Sequence, residues 1–255
     1  MAQTCIWCSK SEPNVTFNCT PHTIPKNFGG PKGKDVCDDC NNYFGTKRSG
    51  KLVIEVVLKE VFNISRCMLL YSLGEIGKNK AMAKKPSTLY FDINIQKRKI
   101  KAKPSFRFQK GFQEEFALQF RRGFYMIFLE EYHRLSNKGH DEQFSFMREF
   151  ARFGLGDFPV FYLERRHGAM LLSIDLIKKP EFYFGDDQLK IMKEYGFYEI
   201  EFLGHTFVIP VIRNYEISWD VYANDLEKRK GSLFKPCKNI NYITDIDLGL
   251  RILMD

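Results

Sequence analysis

The chain has 255 residues, includes 24 Phe and 12 Tyr, and carries a formal net charge of +8 at pH 7. This apolar content excludes a disordered chain, and the length fits one large domain or two smaller ones. The excess of basic residues favours an anionic partner, with nucleic acid as the first choice. The first residues lack the basic and apolar regions of a signal peptide, and no apolar run reaches the roughly 18 residues of a membrane span. We therefore expect a cytoplasmic protein with no membrane partner.

Residues 1–50 contain two CxxC pairs, which are Cys5 with Cys8 and Cys37 with Cys40. Four thiolates presented by two tight turns are typical of a closed, structural Zn²⁺ site that leaves no coordination position for chemistry. The other three cysteines stand alone, so the pattern fits a reducing compartment better than a disulfide framework. A module of this size buries little apolar surface, and metal binding would supply much of its folding free energy.

The segment between the pairs, "TPHTIPKNFGGPKGKDVCDDCN", contains His22, and Asn41 directly follows Cys40. Histidine is the natural base near neutral pH, and an asparagine oxygen is a suitable hard ligand for Mg²⁺. The Gly pair predicts a tight turn beside the histidine. The zinc-bound turn would hold Asn41 in place, and the same loop would present His22.

This stretch resembles an HNH, or ββα-metal, endonuclease module of the zinc-bearing branch, which includes phage recombination endonucleases. The resemblance rests on a CxxC pair, a histidine followed by Ile-Pro and a Gly pair, a second CxxC followed by Asn, and a late Phe-Gly. In this chain those elements are Cys5, Cys8, His22, Ile24, Pro25, Gly29, Gly30, Cys37, Cys40, Asn41, Phe44 and Gly45. The resemblance covers about the first fifth of the chain and does not extend to residues 51–255.

The resemblance implies a ββα unit with His22 at the end of its first strand and residues 37–41 opening its helix. His22 would act as a general base on a water molecule. A catalytic Mg²⁺ or Mn²⁺ ion, held partly by Asn41, would contact the scissile phosphate. The implied activity is hydrolysis of phosphodiester bonds, in DNA rather than RNA, and the implied setting is restriction or phage defence.

One residue departs from the family pattern. Active relatives carry Asp or Glu before the histidine as a metal ligand, and this chain has Pro21 there. The candidate replacements are Asp35, Asp38, Asp39, Glu12 and Glu55, or a backbone carbonyl or water. Asp35 could instead hold the loop, and Glu55 could be a solvated helix charge. If nothing replaces the carboxylate, the module is a degenerate one that binds nucleic acid or a partner without cleavage.

Residues 51–255 predict a larger α+β domain whose role is substrate binding, sensing or oligomerisation, either with itself or with a regulatory partner. Phe or Tyr recurs every four residues from Phe112 to Tyr132, which predicts a helix over residues 111–136 with a core-facing stripe. Further helices are predicted over residues 51–73 and 141–154, a basic loop over 77–87, a strand or hairpin over 88–108, and strands of a C-terminal sheet over 158–166, 197–204 and 205–214.

The densest basic run, "QKRKIKAKPSFRFQKG", lies in the predicted hairpin. Alternate residues of a strand share a face, so its lysines would form a row suited to a phosphate backbone. The predicted nucleic-acid-binding residues are Lys97, Lys99, Lys101, Lys103 and Arg107. The alternative is a charged edge strand that resists aggregation. The scattered histidines His133, His140, His167 and His205 are expected to be structural or exposed.

Overall fold

A computed structural model describes residues 2–47, 51–75, 88–94, 97, 99–166, 173–248 and 250. Its central element is helix α3 (Lys110–Ser136), which ends where Asn137 adopts a left-handed conformation at φ 61°. The predicted aromatic stripe is buried along α3, with Phe116, Phe120, Phe124 and Phe128 all at 0% exposure. The helix also buries residues off this stripe, among them Arg121, Arg122, Glu130 and Glu131. Both sides of α3 are therefore covered by other parts of the chain.

Helix α2 (Ile54–Ser72) confirms the predicted helix over residues 51–73 and packs against α3. The side chain of Leu58 packs directly on the backbone of α3 at Gly123, where a Cβ atom would lie only 2.8 Å from its Cδ1 and Cγ atoms. Phe62 of α2 is fully buried and meets the rings of Phe120 and Phe124 from α3. The same ring also contacts Phe28, Phe202, His205 and Phe207.

The predicted C-terminal sheet is present and has four antiparallel strands in the order β4-β5-β3-β6. These strands are β3 (Phe161–Leu163), β4 (Phe197–Phe202), β5 (His205–Pro210) and β6 (Lys238–Asn239). Leu203 and Gly204 form the two-residue turn between β4 and β5, and both have positive φ values. Such a turn matches the twist of the paired strands, which explains why β4 and β5 form a complete hairpin.

The sheet lies between two groups of helices. Aromatic and aliphatic side chains of β4 and β5 face α2 and α3 in the main core. The opposite face carries Phe161, Phe197 and Val208, which pack against Tyr222 and Leu226 of α7. Two helices lie on this side, α6 (Asp186–Tyr195) and α7 (Glu216–Lys230). The predicted α+β class is therefore correct.

The segment predicted as one helix over residues 141–154 is instead a series of short helical pieces. They are a 3₁₀ turn (Glu142–Phe144), α4 (Ser145–Arg148) and a π-helical turn (Glu149–Phe153). Arg122 donates to the carbonyls of Phe150 at 3.1 Å and Ala151 at 2.8 Å. We attribute the π-helical turn to the Arg122 guanidinium, because it competes with backbone N–H groups for these two carbonyl oxygens.

The predicted hairpin consists of β1 (Phe91–Asn94) and β2 (Lys99–Ala102). The remaining helices are α1 (Asp38–Gly45) and α5 (Ile174–Lys178), and short 3₁₀ turns cover Lys26–Phe28 and Ile243–Asp245. The predicted basic loop over 77–87 lies outside the described residues. Within the described part of the chain, no helix has the length and apolar content to cross a membrane.

Residues 2–47 show no regular β-strand, so the ββα unit implied by the family resemblance is not confirmed. The β-type pairing there consists of isolated antiparallel bridges from Thr4 to Ser11 and from His22 to Lys32, and the short turn Lys26–Phe28 precedes α1. The hydrophobic core runs without a break from Cys5 to Leu250. The predicted boundary near residue 50 stays a prediction.

Because Phe62 joins α2, α3 and the sheet, we expect Phe62→Ala to lower the free energy of unfolding by about 3–5 kcal/mol. The matched control is Phe108→Ala, since Phe108 is 71% exposed and its loss should cost under about 0.5 kcal/mol. Chemical denaturation, analysed with one m-value for both variants, measures the two changes in the free energy of unfolding. Equal midpoints for the two variants would contradict the packing described here.

His205 lies at the centre of the core, with Ser65 Oγ 2.5 Å from its Nε2 and Tyr162 OH 3.2 Å from its Nδ1. The three side chains have at most 3% exposure. Burial lowers the pKa of His205 to about 3. The imidazole is therefore neutral in the folded protein at neutral pH, as expected for a structural histidine.

The lowered pKa predicts a loss of stability in acid. A histidine that stays neutral when folded but titrates near pH 6.5 when unfolded favours the unfolded state as the pH falls from about 6.5 towards 3. We expect this group to remove about 2 kcal/mol between pH 7 and pH 5. The measurement compares the pH dependence of unfolding in wild type and His205→Gln, because other titrating groups cancel in the difference. Identical pH dependence would refute the assignment.

Candidate metal centre

The four predicted zinc ligands come together in the structure. The Sγ atoms of Cys5, Cys8, Cys37 and Cys40 all lie within 4.8 Å of one another, and those of Cys8 and Cys37 are 3.7 Å apart. Tetrahedral Zn–S bonds of about 2.3 Å require sulfur atoms about 3.8 Å apart, so the donor set fits a structural Zn²⁺ ion. Three of the four cysteines are buried and Cys8 is half-buried, which gives a closed site.

Hydrogen bonds to sulfur surround the cluster. The backbone N–H groups of Trp7 and Cys37 each donate to Cys5 Sγ at 3.4 Å. Arg152 Nε donates to Cys40 Sγ at 3.3 Å. Four thiolates around one Zn²⁺ ion leave two net negative charges, and these donors stabilise that charge. Arg152 comes from the π-helical turn, far along the chain, and also lies 4.0 Å from the ring centroid of Tyr43.

The second cysteine pair fixes the start of α1. Cys37 is the N-cap residue, and Cys40 lies in the first turn. Asp38 receives hydrogen bonds from Thr16 Oγ1 at 2.5 Å and from the backbone N–H of Cys19 at 2.8 Å. These bonds lower the pKa of Asp38 to about 2. The carboxylate therefore ties the loop before His22 to the helix that carries Asn41.

His22 is half-buried and is held by the Gly pair that follows it. Its Nδ1 lies 3.0 Å from the carbonyl oxygen of Gly30, which only accepts, so Nδ1 carries the proton and donates. The neutral ring consequently has its free lone pair on Nε2. Gly30 itself has no room for a side chain, since a Cβ atom would lie 2.1 Å from the carbonyl oxygen of Ile24. The Gly pair predicts a tight turn beside the histidine, and the structure shows it as a close backbone contact between Gly30 and Ile24.

The module is docked on the C-terminal half of α3 by polar side chains. Trp7 Nε1 donates to Glu130 Oε1 at 2.9 Å, and Thr23 Oγ1 donates to the buried Glu131. Burial raises the pKa of Glu130 well above its ordinary value. Gly139 N donates to Nδ1 of His133, so Nε2 of that ring carries the proton and donates to Asp35 Oδ2 at 2.8 Å.

Two of the carboxylates proposed as replacements for the missing ligand are engaged elsewhere. Asp35 contacts His133 and also accepts from Gln3 Nε2 at 3.1 Å, so it holds the loop. Glu55 lies 3.6 Å from Lys59 Nζ, at the end of α1 where a Cβ on Gly45 would be 3.4 Å from it. Pro21 is buried, and its carbonyl accepts from Gly33 N.

Within the described residues, the cysteine quartet is the one group of three or more His, Cys, Asp or Glu side chains arranged for an ion. The residues near His22 and Asn41 therefore do not present a carboxylate set for Mg²⁺ or Mn²⁺. The catalytic ion implied by the family resemblance is not supported by this donor set.

The predicted phosphate-binding lysines are only partly in one row. Lys99 and Lys101 are exposed on β2, although Asp92 lies directly opposite Lys101. Lys97 lies in the turn before them, and Arg107 is exposed after the hairpin. Lys103 differs, because its Nζ donates to the carbonyl oxygen of Thr88 at 2.6 Å and lies 3.8 Å from Asp92.

Comparison with protein-family models, with curated proteins and with solved structures gave no match for this chain. Sequence reasoning did not predict the contacts made by Glu130, Glu131, His133 and Arg152. A signal was present for the two acidic residues and His133, since all three are polar residues of the helix predicted from its aromatic stripe. Arg152 gave no such signal, because its role depends on a contact formed only in the folded protein.

Zinc binding predicts a clear response to removing one ligand. We expect Cys37→Ser to reduce bound zinc from one ion per chain to well below one, and to lower the melting temperature, because serine still caps α1 but is a poor zinc ligand. The matched control, Cys19→Ser, removes an exposed cysteine outside the cluster. Metal content after gel filtration measures both proteins. Full zinc content in Cys37→Ser would contradict the four-cysteine site.

Proposed function

We propose that this protein hydrolyses phosphodiester bonds of DNA as an HNH-type endonuclease, with His22 as the general base. The observation that carries the proposal is the bond from His22 Nδ1 to the Gly30 carbonyl. It fixes the tautomer in which Nε2 is free to accept a proton, and it holds the ring without a carboxylate partner. A half-buried ring is also accessible to a substrate at the surface.

The reaction follows from this tautomer. His22 Nε2 takes a proton from a water molecule, whose oxygen attacks the phosphorus atom in line with the leaving oxygen. The bond from phosphorus to the 3′ oxygen breaks, which gives a 5′ phosphate and a 3′ hydroxyl after proton uptake from solvent. Positioning contributes most of the rate, since the loop is fixed by α3 on one side and by the cysteine cluster on the other.

Asn41 is the predicted contact beside the histidine. It follows a zinc ligand in the first turns of α1, and its backbone N–H donates to Cys37 at 2.9 Å. The helix therefore determines the position of its amide group. No step is assigned to a catalytic ion here, because the cysteine quartet is the one group of metal-ligating side chains found among the described residues. Metal dependence is instead part of the test.

A second candidate function is a zinc module that binds nucleic acid or a partner without cleavage. Pro21 favours it, since this buried residue replaces the carboxylate before the histidine and offers no side-chain oxygen. The engagement of Asp35 with His133 favours it too. The two candidates predict the same fold and the same zinc content, and they differ only in turnover.

The test is cleavage of supercoiled plasmid with Mg²⁺, Mn²⁺ or EDTA. We expect nicking by the wild type, and a loss of at least about 100-fold in His22→Ala, because general base catalysis is typically worth 10²–10⁴. The matched control is His140→Ala, an exposed histidine on the loop after α3. Nicking that persists in His22→Ala would reject His22 as the base. Binding without nicking under every metal condition would favour the second candidate.

A further inference from the structure

Three lysines surround the loop that carries His22, and two of them come from the loop itself. Lys32 is the bridge partner of His22, and residues directly opposite in an antiparallel pair point to the same face. Lys26 begins the 3₁₀ turn Lys26–Phe28, which is followed by Gly29 and then by Gly30, whose carbonyl holds the histidine. Both lysines are exposed. They were not among the residues that the sequence predicts to bind phosphate.

The third lysine, Lys179, is brought to this loop by helix α5. A Cβ atom on Gly29 would lie 2.7 Å from the carbonyl oxygen of Lys178 and 3.5 Å from Cγ of Lys179. Gly29 has φ 83°, so the absence of a side chain permits both its conformation and this contact. The aliphatic part of Lys179 therefore runs beside the loop, while the residue as a whole is exposed.

The end of α5 is fixed in place by α2. Arg66 donates through Nε to the carbonyl of Ile177 at 2.9 Å and through Nη2 to that of Lys178 at 3.2 Å. These bonds satisfy carbonyls that have no partner within the helix. The position of Lys179 relative to His22 is thus determined by a chain of contacts from α2 through α5 to the Gly pair.

These three lysines have no acidic partner among the residues that the structure describes. Across the described ranges, no carboxylate forms an ion pair with Lys26, Lys32 or Lys179, whereas neighbouring Lys178 lies 3.3 Å from Glu75. Exposed ammonium groups without acidic partners attract anions, and three around one histidine create a local positive potential. Ammonium groups spread over an exposed surface suit an extended polyanion such as a phosphate backbone.

We propose that Lys26, Lys32 and Lys179 form a contact surface for the phosphate backbone of a nucleic-acid duplex laid across His22. This inference rests on the proposed function and adds that residues 51–255 contribute Lys179 to the substrate surface. Lysine ammonium groups bind phosphates as point charges and carry no base preference, so the surface orients the duplex without reading its sequence. Duplex DNA and duplex RNA share this chemistry, and the experiment distinguishes them.

The experiment measures binding in EDTA, so that it does not depend on cleavage. Fluorescence anisotropy with a 20-base-pair duplex gives the dissociation constant between 50 and 200 mM salt for the full chain. The variant is the triple substitution Lys26→Gln, Lys32→Gln and Lys179→Gln. The matched control changes three exposed lysines on α6 and α7 by the same charge, which are Lys190, Lys193 and Lys228.

Each phosphate contact contributes about 0.9 to the slope of log K against log salt, so the triple variant should lower that slope by about 2 to 3. The control triple should leave the slope unchanged, since its lysines are placed outside the contact surface. Melting temperatures of both variants close to wild type exclude unfolding as the cause. The proposal is overturned by equal slopes in the two triple variants or by no measurable duplex binding in the wild type.

Parallel titrations with duplex DNA, duplex RNA and single-stranded DNA identify the source of the phosphates. A slope change confined to the DNA duplex agrees with the proposed endonuclease, and one confined to the RNA duplex assigns the same surface to RNA. The outcome is independent of the plasmid assay. A slope change without nicking supports the surface and rejects turnover, while nicking with equal slopes supports the base and rejects the surface.

Discussion

Buried polar side chains on helix α3 must find partners, and the cysteine module supplies them. Glu130, Glu131 and His133 are all at most 5% exposed, within a helix otherwise covered by aromatic rings. A buried polar group without a partner costs about 1–3 kcal/mol. Trp7, Thr23 and Asp35 provide those partners. This complementarity sets the position of the module on the rest of the chain.

Two anchors then act on the loop between the CxxC pairs. The cysteine cluster fixes the ends of the segment from Cys8 to Cys37, and α3 fixes its middle through Thr23 and Asp35. A metal ion alone would leave a long loop between the two CxxC turns free to move. With both anchors present, the turn around Gly30 has one conformation, and His22 has one tautomer. The position of the His22 loop therefore depends on its contacts with α3 as well as on the cysteine cluster.

The four-stranded sheet contributes through the elements that it supports. Its inner face completes the aromatic core around Phe62, and that core sets α2 in place. Arg66 of α2 in turn holds the end of α5 against the Gly pair. Residues far from the cysteines in sequence thus determine which charges lie next to His22. Residues 51–255 therefore help to position the loop that carries His22.

The sequence alone determined the features that depend on local spacing. Two CxxC pairs were sufficient for the four-cysteine cluster, and a four-residue aromatic repeat was sufficient for α3. The strands β4 and β5 were also predictable, because each has a strand-like residue pattern and because only certain residues favour the turn between them. The segment 141–154 was predicted as one helix and is broken, since Arg122 reaches its carbonyls from another helix.

The tertiary structure decided which charged side chains have hydrogen-bond or ion-pair partners within the protein. Asp35 and Glu55 were both candidate metal ligands, yet the first binds His133 and the second lies beside Lys59 at the end of α1. Lys103 looked like its neighbours in the basic run, yet it is turned towards the Thr88 carbonyl. A charged side chain has the same local pattern whether or not it is paired. Lys59 lies one helical turn from Glu55, but the partners of Asp35 and Lys103 are set by the packing of the folded chain, which local spacing does not encode.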